Sequence, residues 1–163
     1  MTVSHKLTVA LCFAMFLSCK TTKPLSENYQ IQCDKTSNES TYTVSISYQS
    51  NNDYTDIETV KQNAIDGILF RGITGKNYCV AQKPLLDKAK SEVSNTEFYK
   101  QLYDNNKNYN KYVTNILKLN DETLETIKNK KLYQHSYLVT INKDLLKKDL
   151  INAELLKQLN TGF

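Results

Sequence analysis

Thr41-Tyr42-Thr43-Val44-Ser45-Ile46-Ser47-Tyr48 alternates strictly between small polar residues and large apolar or aromatic ones. A period of two places Tyr42, Val44, Ile46 and Tyr48 on one face of a β-strand and Thr41, Thr43, Ser45 and Ser47 on the other. The strand therefore belongs to a sheet with one face on a core and one in water. Ser50-Asn51-Asn52-Asp53 stops it, and the period changes at once. Thr55 followed by Glu58 is a capping box. Ile57, Val60, Ala64 and Ile68 then recur at spacings of three and four, widened by Ile65 and Leu69, which predicts a helix ended by Gly72. A half-buried strand followed by an amphipathic helix demands two layers.

Further along, Gly75 opens a turn, Tyr78 to Ala81 predicts a short strand, and Pro84-Leu85-Leu86 predicts an extended segment closing over the core. Ser94 with Glu97 forms a second capping box ahead of a short helix carrying Phe98, Tyr99, Leu102 and Tyr103, which Asn105-Asn106 would end. Tyr112 to Leu119 fits strand or helix by pattern, and its Tyr, Val, Thr and Ile favour a strand. Tyr133, Tyr137, Val139 and Ile141 alternate as a second clear strand. Asn142 is an N-cap for a helix with Leu145, Leu146 and Leu150, and the tail from Leu155 to Phe163 is apolar enough to dock. The expected fold is α+β, a single small domain with a mainly antiparallel or mixed sheet and helices packed on one face.

Toward the amino terminus the chemistry is of another kind. Lys6 precedes an uncharged run from Leu7 to Leu17, closed by Ser18-Cys19. That run has the length of a signal h-region and falls short of the roughly 20 residues of a transmembrane helix. Small Ser18 before Cys19 has the form of a lipobox, with Phe16 standing where Leu is usual. Residues 1–18 read as a lipoprotein signal peptide, the alternative being an ordinary secretory signal cut nearby. Residues 19–39 read as a lipidated tether, since the polar stretch from Lys20 to Glu39 holds too little apolar surface to offset ordering. Residues 40–163 read as the globular domain. Acyl chains on Cys19, at about 0.8 kcal/mol per buried methylene, would make the anchor permanent. The expected location is the cell envelope, with Lys20 favouring the outer membrane.

Removing the signal also edits the chemical inventory. The chain carries a formal charge of +4, twenty lysines but a single arginine, and eleven tyrosines with no tryptophan. Its lysines are interspersed with acids, unlike the one-sided Arg/Lys clusters that bind nucleic acid. Of four cysteines, Cys12 leaves with the signal and Cys19 takes lipid, so Cys33 and Cys79 remain as a disulfide candidate in an oxidising compartment, or as two free thiols. His135 is the one histidine left after the signal. It rules out a histidine-rich metal site and leaves Cys79–His135 as the one conceivable nucleophile and base, on a residue whose strand context reads as packing. Gly67, Gly72, Gly75 and Gly162 make no phosphate loop. Asp121, Glu122 and Glu125 lie in a lysine-rich stretch and read as surface charges rather than a carboxylate pair for glycoside hydrolysis. No catalytic residue, metal or cofactor is expected.

Ala64-Ile65, Ile68-Leu69-Phe70, Gly72-Ile73, Pro84-Leu85, Phe98-Tyr99, Leu146 to Leu150 and Gly162-Phe163 together resemble a family of uncharacterised Bacteroidota envelope lipoproteins, over roughly Tyr42 to Phe163. The strand followed by an Ala-containing helix is also similar to the small α+β domains of flagellar and curli-type assembly lipoproteins. The resemblance implies an envelope location and this fold and carries over no catalytic residue. What is left is surface: Tyr99, Tyr103, Tyr109 and Tyr112 are dense enough to form a partner-binding face, the alternative being that they are core. The expected function is a membrane-anchored, non-enzymatic accessory or scaffold component that binds an envelope protein. An immunity or inhibitor lipoprotein that captures a toxin or hydrolase and a small-ligand carrier are the alternatives.

Overall fold

The computed structural model describes residues 29–34, 39–76, 79–86, 96–105, 107–127 and 130–157, with the backbone course alone for 104–105, 120–127 and 130. Cys19, the signal and most of the tether lie outside the described residues. Strands β1 (Tyr29–Cys33), β2 (Thr41–Ser50), β3 (Val113–Ile127) and β4 (Lys130–Asn142) form one antiparallel sheet in the order β1-β2-β4-β3. Its register aligns the alternating residues across strands, Ile31 beside Ile46 beside Tyr137 and Cys33 beside Val44 beside Val139. All six are buried. The intervening Gln30, Thr43, Ser45, Ser47 and Ser136 are exposed or half-buried. Three helices, α1 (Ile57–Asp66), α2 (Glu97–Lys100) and α3 (Lys143–Asn152), pack against the sheet. The domain is a small α+β unit whose sheet is purely antiparallel.

Local sequence accounts for the helix starts, with a one-residue adjustment. Asp56 rather than Thr55 caps α1, its carboxylate accepting from the Glu58 N–H at 3.1 Å. Thr96 caps α2 by accepting from the Tyr99 N–H, while Ser94 lies outside the described residues. Asn142 caps α3 through the Leu145 N–H at 2.9 Å. Each cap satisfies a donor that the first helical turn leaves without a partner. On α1, Val60 and Ala64 are buried, as is Ile68 in the turn that follows, but Ile57 is 41% exposed and stands outside the core stripe.

Three features depart from the sequence-based expectation. First, β1 lies inside the stretch read as tether: Tyr29, Ile31 and Cys33 alternate with Gln30 and Gln32, and β2 pairs with them along its edge. Five residues of alternation are swamped by polar neighbours. Second, α1 does not end at Gly72 as an α-helix but widens into a π-helical turn over Gly67–Arg71, with the Gly72 N–H donating to the Gly67 carbonyl at 2.8 Å. The wide turn turns Ile68 and Leu69 inward together, and their carbonyls accept from the N–H groups of Leu85 and Leu86. This pins the Pro84–Leu86 segment over the core. Third, β3 runs on through Asp121–Glu125 as half of a long hairpin with β4, with irregularities in register at three places.

Candidate functional site

The chain enters the fold through a latch at β1. Cys33 and Cys79 are joined by a disulfide, their Cα atoms 5.8 Å apart, which ties β1 to the loop of residues 73–82. Backbone bonds reinforce the tie: Cys33 N–H donates to the Thr74 carbonyl, and Ile73 and Gln82 exchange N–H and C=O at 2.8 Å. Ala81 and Val80 are not in a strand, and Tyr78 lies outside the described residues. β1 also crosses directly over Gly67, where a Cβ would meet Ile31 Cδ1 at 2.7 Å. Gly72 turns the chain with φ +79°, and a Cβ there would lie 2.5 Å from the Gln82 carbonyl oxygen.

Beside this latch sits a polar cluster that the sequence reading missed. Asp66 is 1% exposed and accepts from the Tyr29 hydroxyl at 2.8 Å. Arg71, the one arginine, stacks its guanidinium 4.0 Å from the Tyr29 ring centre, donates to the Tyr29 carbonyl, and stands 3.9 Å from the Asp66 carboxylate. Burial first, then the Asp66 charge, pushes the Tyr29 phenol far above its ordinary value. The Tyr29 hydroxyl bonded to Asp66 and the Arg71 guanidinium over the same ring together clamp β1 onto α1. Its signal was present: Asp66 is the lone charge in the apolar run from Ala64 to Phe70. A spacing of five to Arg71 faces one way only on a π turn, which local pattern does not announce.

Of the four tyrosines read as a partner-binding face or as core, Tyr109 and Tyr112 are core and Tyr99 and Tyr103 are half-buried. Tyr109 and Tyr112 are fully buried, and each hides its ring while sending its hydroxyl to a carboxylate: Tyr109 to Glu58 at 2.8 Å and Tyr112 to Asp149 at 2.9 Å. Burial, then the bond to Glu58, lifts the Tyr109 phenol to about 12. Tyr99 and Tyr103 are half-buried, with ring centres 4.6 Å apart, and Tyr103 stands 6.1 Å from Tyr109. Tyr109 and Tyr112 are amphipathic, so each can bury its ring while its hydroxyl reaches an acid. The Cys79–His135 pairing is excluded, because the sulfur is bonded to Cys33 and His135 is fully buried against Tyr48 and Tyr133. Its Nε2 donates to the Asn52 carbonyl at 2.9 Å. The side chains of Asp121, Glu122 and Glu125 lie outside the described residues.

Two surface features remain. A cleft of about 400 Å³ opens between α2, the 3-10 turn at Asn108–Lys111 and α3, lined by Phe98, Gln101, Leu102, Lys111, Tyr112 and Asp149. At its wall Asp149 is held below the usual carboxylate range: burial opposes this, but bonds from Lys111 at 2.7 Å and Tyr112 prevail. The second is the edge of the sheet at β3. Among the described residues the exposed large apolar side chains are Leu117 (54%) and Leu119 (39%) on β3, Tyr54 (71%) and Ile57 (41%) in the segment near it, and Val80. Tyr54, Ile57, Ile116 and Tyr137, with the charged Asp53 and Lys118, line a groove of about 520 Å³ there. Among the described residues no group of His, Cys, Asp and Glu could hold a metal ion, and no helix is long and apolar enough to cross a membrane. Comparison with known proteins finds no matching family model, no matching curated protein and no matching solved structure.

Proposed function

We propose that the chain is a lipid-anchored, non-enzymatic component of a bacterial cell envelope that binds another envelope protein. One observation carries the reading: the Cys33–Cys79 disulfide. Disulfides persist in oxidising compartments outside the cytoplasm, and this one points there independently of the lipobox at Cys19. The non-enzymatic part draws support from how the reactive residues are employed, with both cysteines bonded to each other and His135 sealed in the core. For the binding face, the exposed Leu117 and Leu119 on the edge strand β3 are offered beside the half-buried Tyr99 and Tyr103. The resemblance to Bacteroidota and assembly lipoproteins belongs to the same proposal. An outer-membrane location fits Lys20.

The test uses the full chain in its native host. Labelled fatty acid should enter the protein and be lost in Cys19→Ser, and a photo-crosslinker at Leu117 should capture one envelope protein that a crosslinker at Gln49 does not. Acyl label retained in Cys19→Ser, or identical capture from both positions, overturns the reading. The cleft beside Asp149 favours a second one, a small-ligand carrier. A small molecule retained by the purified protein, and released by Asp149→Ala, would establish it instead.

A further inference from the structure

We propose that the cleft between α2, the 3-10 turn and α3 binds a small organic monocation, an ammonium group on a short aromatic or aliphatic body, with Asp149 as its counter-ion. The proposal goes beyond the envelope reading; it rests on the carrier reading of this cleft and names the class of ligand. It starts from how Asp149 is held. Both bonds to its carboxylate fall on one oxygen, since the Lys111 ammonium at 2.7 Å and the Tyr112 hydroxyl at 2.9 Å share Oδ2. Among the described residues no group donates to Oδ1. Tyr112 is fully buried, so its hydroxyl fixes the carboxylate against a rigid wall. The side chain of Asp149 keeps 21% of its surface exposed. The wall of the cleft therefore holds an ionised, immobilised group with one oxygen still able to accept a hydrogen bond.

The rest of the lining sets the sign and shape of the ligand. Glu97 and Asp149 are its acids and Lys111 its one base, which leaves one negative charge in excess. Lys111 is committed to Oδ2 and lies 5.0 Å from the centre of the Tyr112 ring. Glu97 accepts from the Gln101 amide through Oε1. The exposed Lys148 acts on Asp149 from outside the lining and helps to keep it ionised. Asn152 and Ala153 bring the C-terminal end of α3 into the wall, and the negative end of a helix dipole favours a cation. An anion would meet both carboxylates, and a neutral body would leave Oδ1 to water. Apolar surface comes from the buried Leu102 and the half-buried Phe98. The volume of about 400 Å³ falls within the roughly 300–1,000 Å³ of small-molecule sites. A charged oxygen beside apolar surface in a space of that size fits an amine that carries a ring or a short chain.

The test titrates the purified full-length protein at pH 7 with two probes of like body and opposite charge, 2-phenylethylamine and 3-phenylpropanoate, and reads backbone amide shifts by NMR. The amine should shift the Leu102 and Ala153 signals saturably, with a Kd of about 1 mM as befits so small a ligand, and the carboxylate should not. Asp149→Asn keeps the shape and removes the charge, and should weaken the amine roughly tenfold or more. Ala153→Leu fills the cleft while leaving Asp149 in place, and should abolish the shifts; signals from β2 and β4 report whether each variant is folded. Equal binding of the two probes, or preference for the carboxylate, overturns the cationic class and leaves the carrier reading standing. Amine binding that survives both variants overturns the site. Silence from both probes overturns the site and the carrier reading together. None of these outcomes touches the envelope reading, which the acyl label on Cys19 tests by itself.

Discussion

Glu58 accepts from Lys61, one turn along its own helix at 2.7 Å, and from Tyr109, which is distant in sequence, at 2.8 Å. The Lys61 bond is the main reason its carboxyl is pushed down to about 2, with the Tyr109 bond adding to it against burial. An unfolded glutamate titrates near pH 4.3, so as pH falls the unfolded chain takes up its proton first. The stability this group contributes is present above that value and is lost as pH falls toward about 2. Urea unfolding across pH 5 to 2 should show this slope in the wild type and a flatter one in Glu58→Gln; equal slopes would refute it. The helix-start role of Glu58 was readable locally. Its partner Tyr109 was not, because that meeting depends on how α1 packs against the segment after α2. Among the described residues the buried Asn63 amide finds no hydrogen-bond partner.

At the scale of elements, the disulfide matters because of what it joins. β1 is a five-residue strand at the sheet edge, and the loop of residues 73–82 holds itself by isolated bridges. Neither would be expected to persist alone. Cross-linking residues 46 apart restricts the unfolded chain by about 4 kcal/mol in the chain-entropy model. Cys33→Ala with Cys79→Ala should lose stability of that order in denaturant, and a loss under about 1 kcal/mol would show that the latch is held by Asp66, Tyr29 and Arg71 instead. Sequence reading fared best here where one period ran for several residues, as in β2, β4 and α3. It failed for β1, too short to stand out. It also missed the π turn, which is set by Leu85 and Leu86 docking on carbonyls that an α-helix would have used itself.

For the whole molecule, β1 extends the folded domain to Tyr29. It buries Tyr29, Ile31 and Cys33 and closes the core over α1 at Gly67. Each buried side chain of this size contributes about 1.5–3 kcal/mol, and with the disulfide their loss approaches the entire 5–15 kcal/mol of a typical domain. A chain started at Ser40 should therefore give no cooperative unfolding transition, whereas one started at Tyr29 should; a folded Ser40 chain would show that β1 is an accessory.

Local pattern by itself determined the two-layer α+β class, the strands β2 and β4 and the start of α3, because each depends on residues a few positions apart. Only the tertiary structure decided that Cys33 meets Cys79, that Tyr109 and Tyr112 are core, that β1 belongs to the sheet, and that β3 is an edge strand on which Leu117 and Leu119 are exposed. Those outcomes depend on which distant segments come together, and a period of two or of three and four carries no record of its partner.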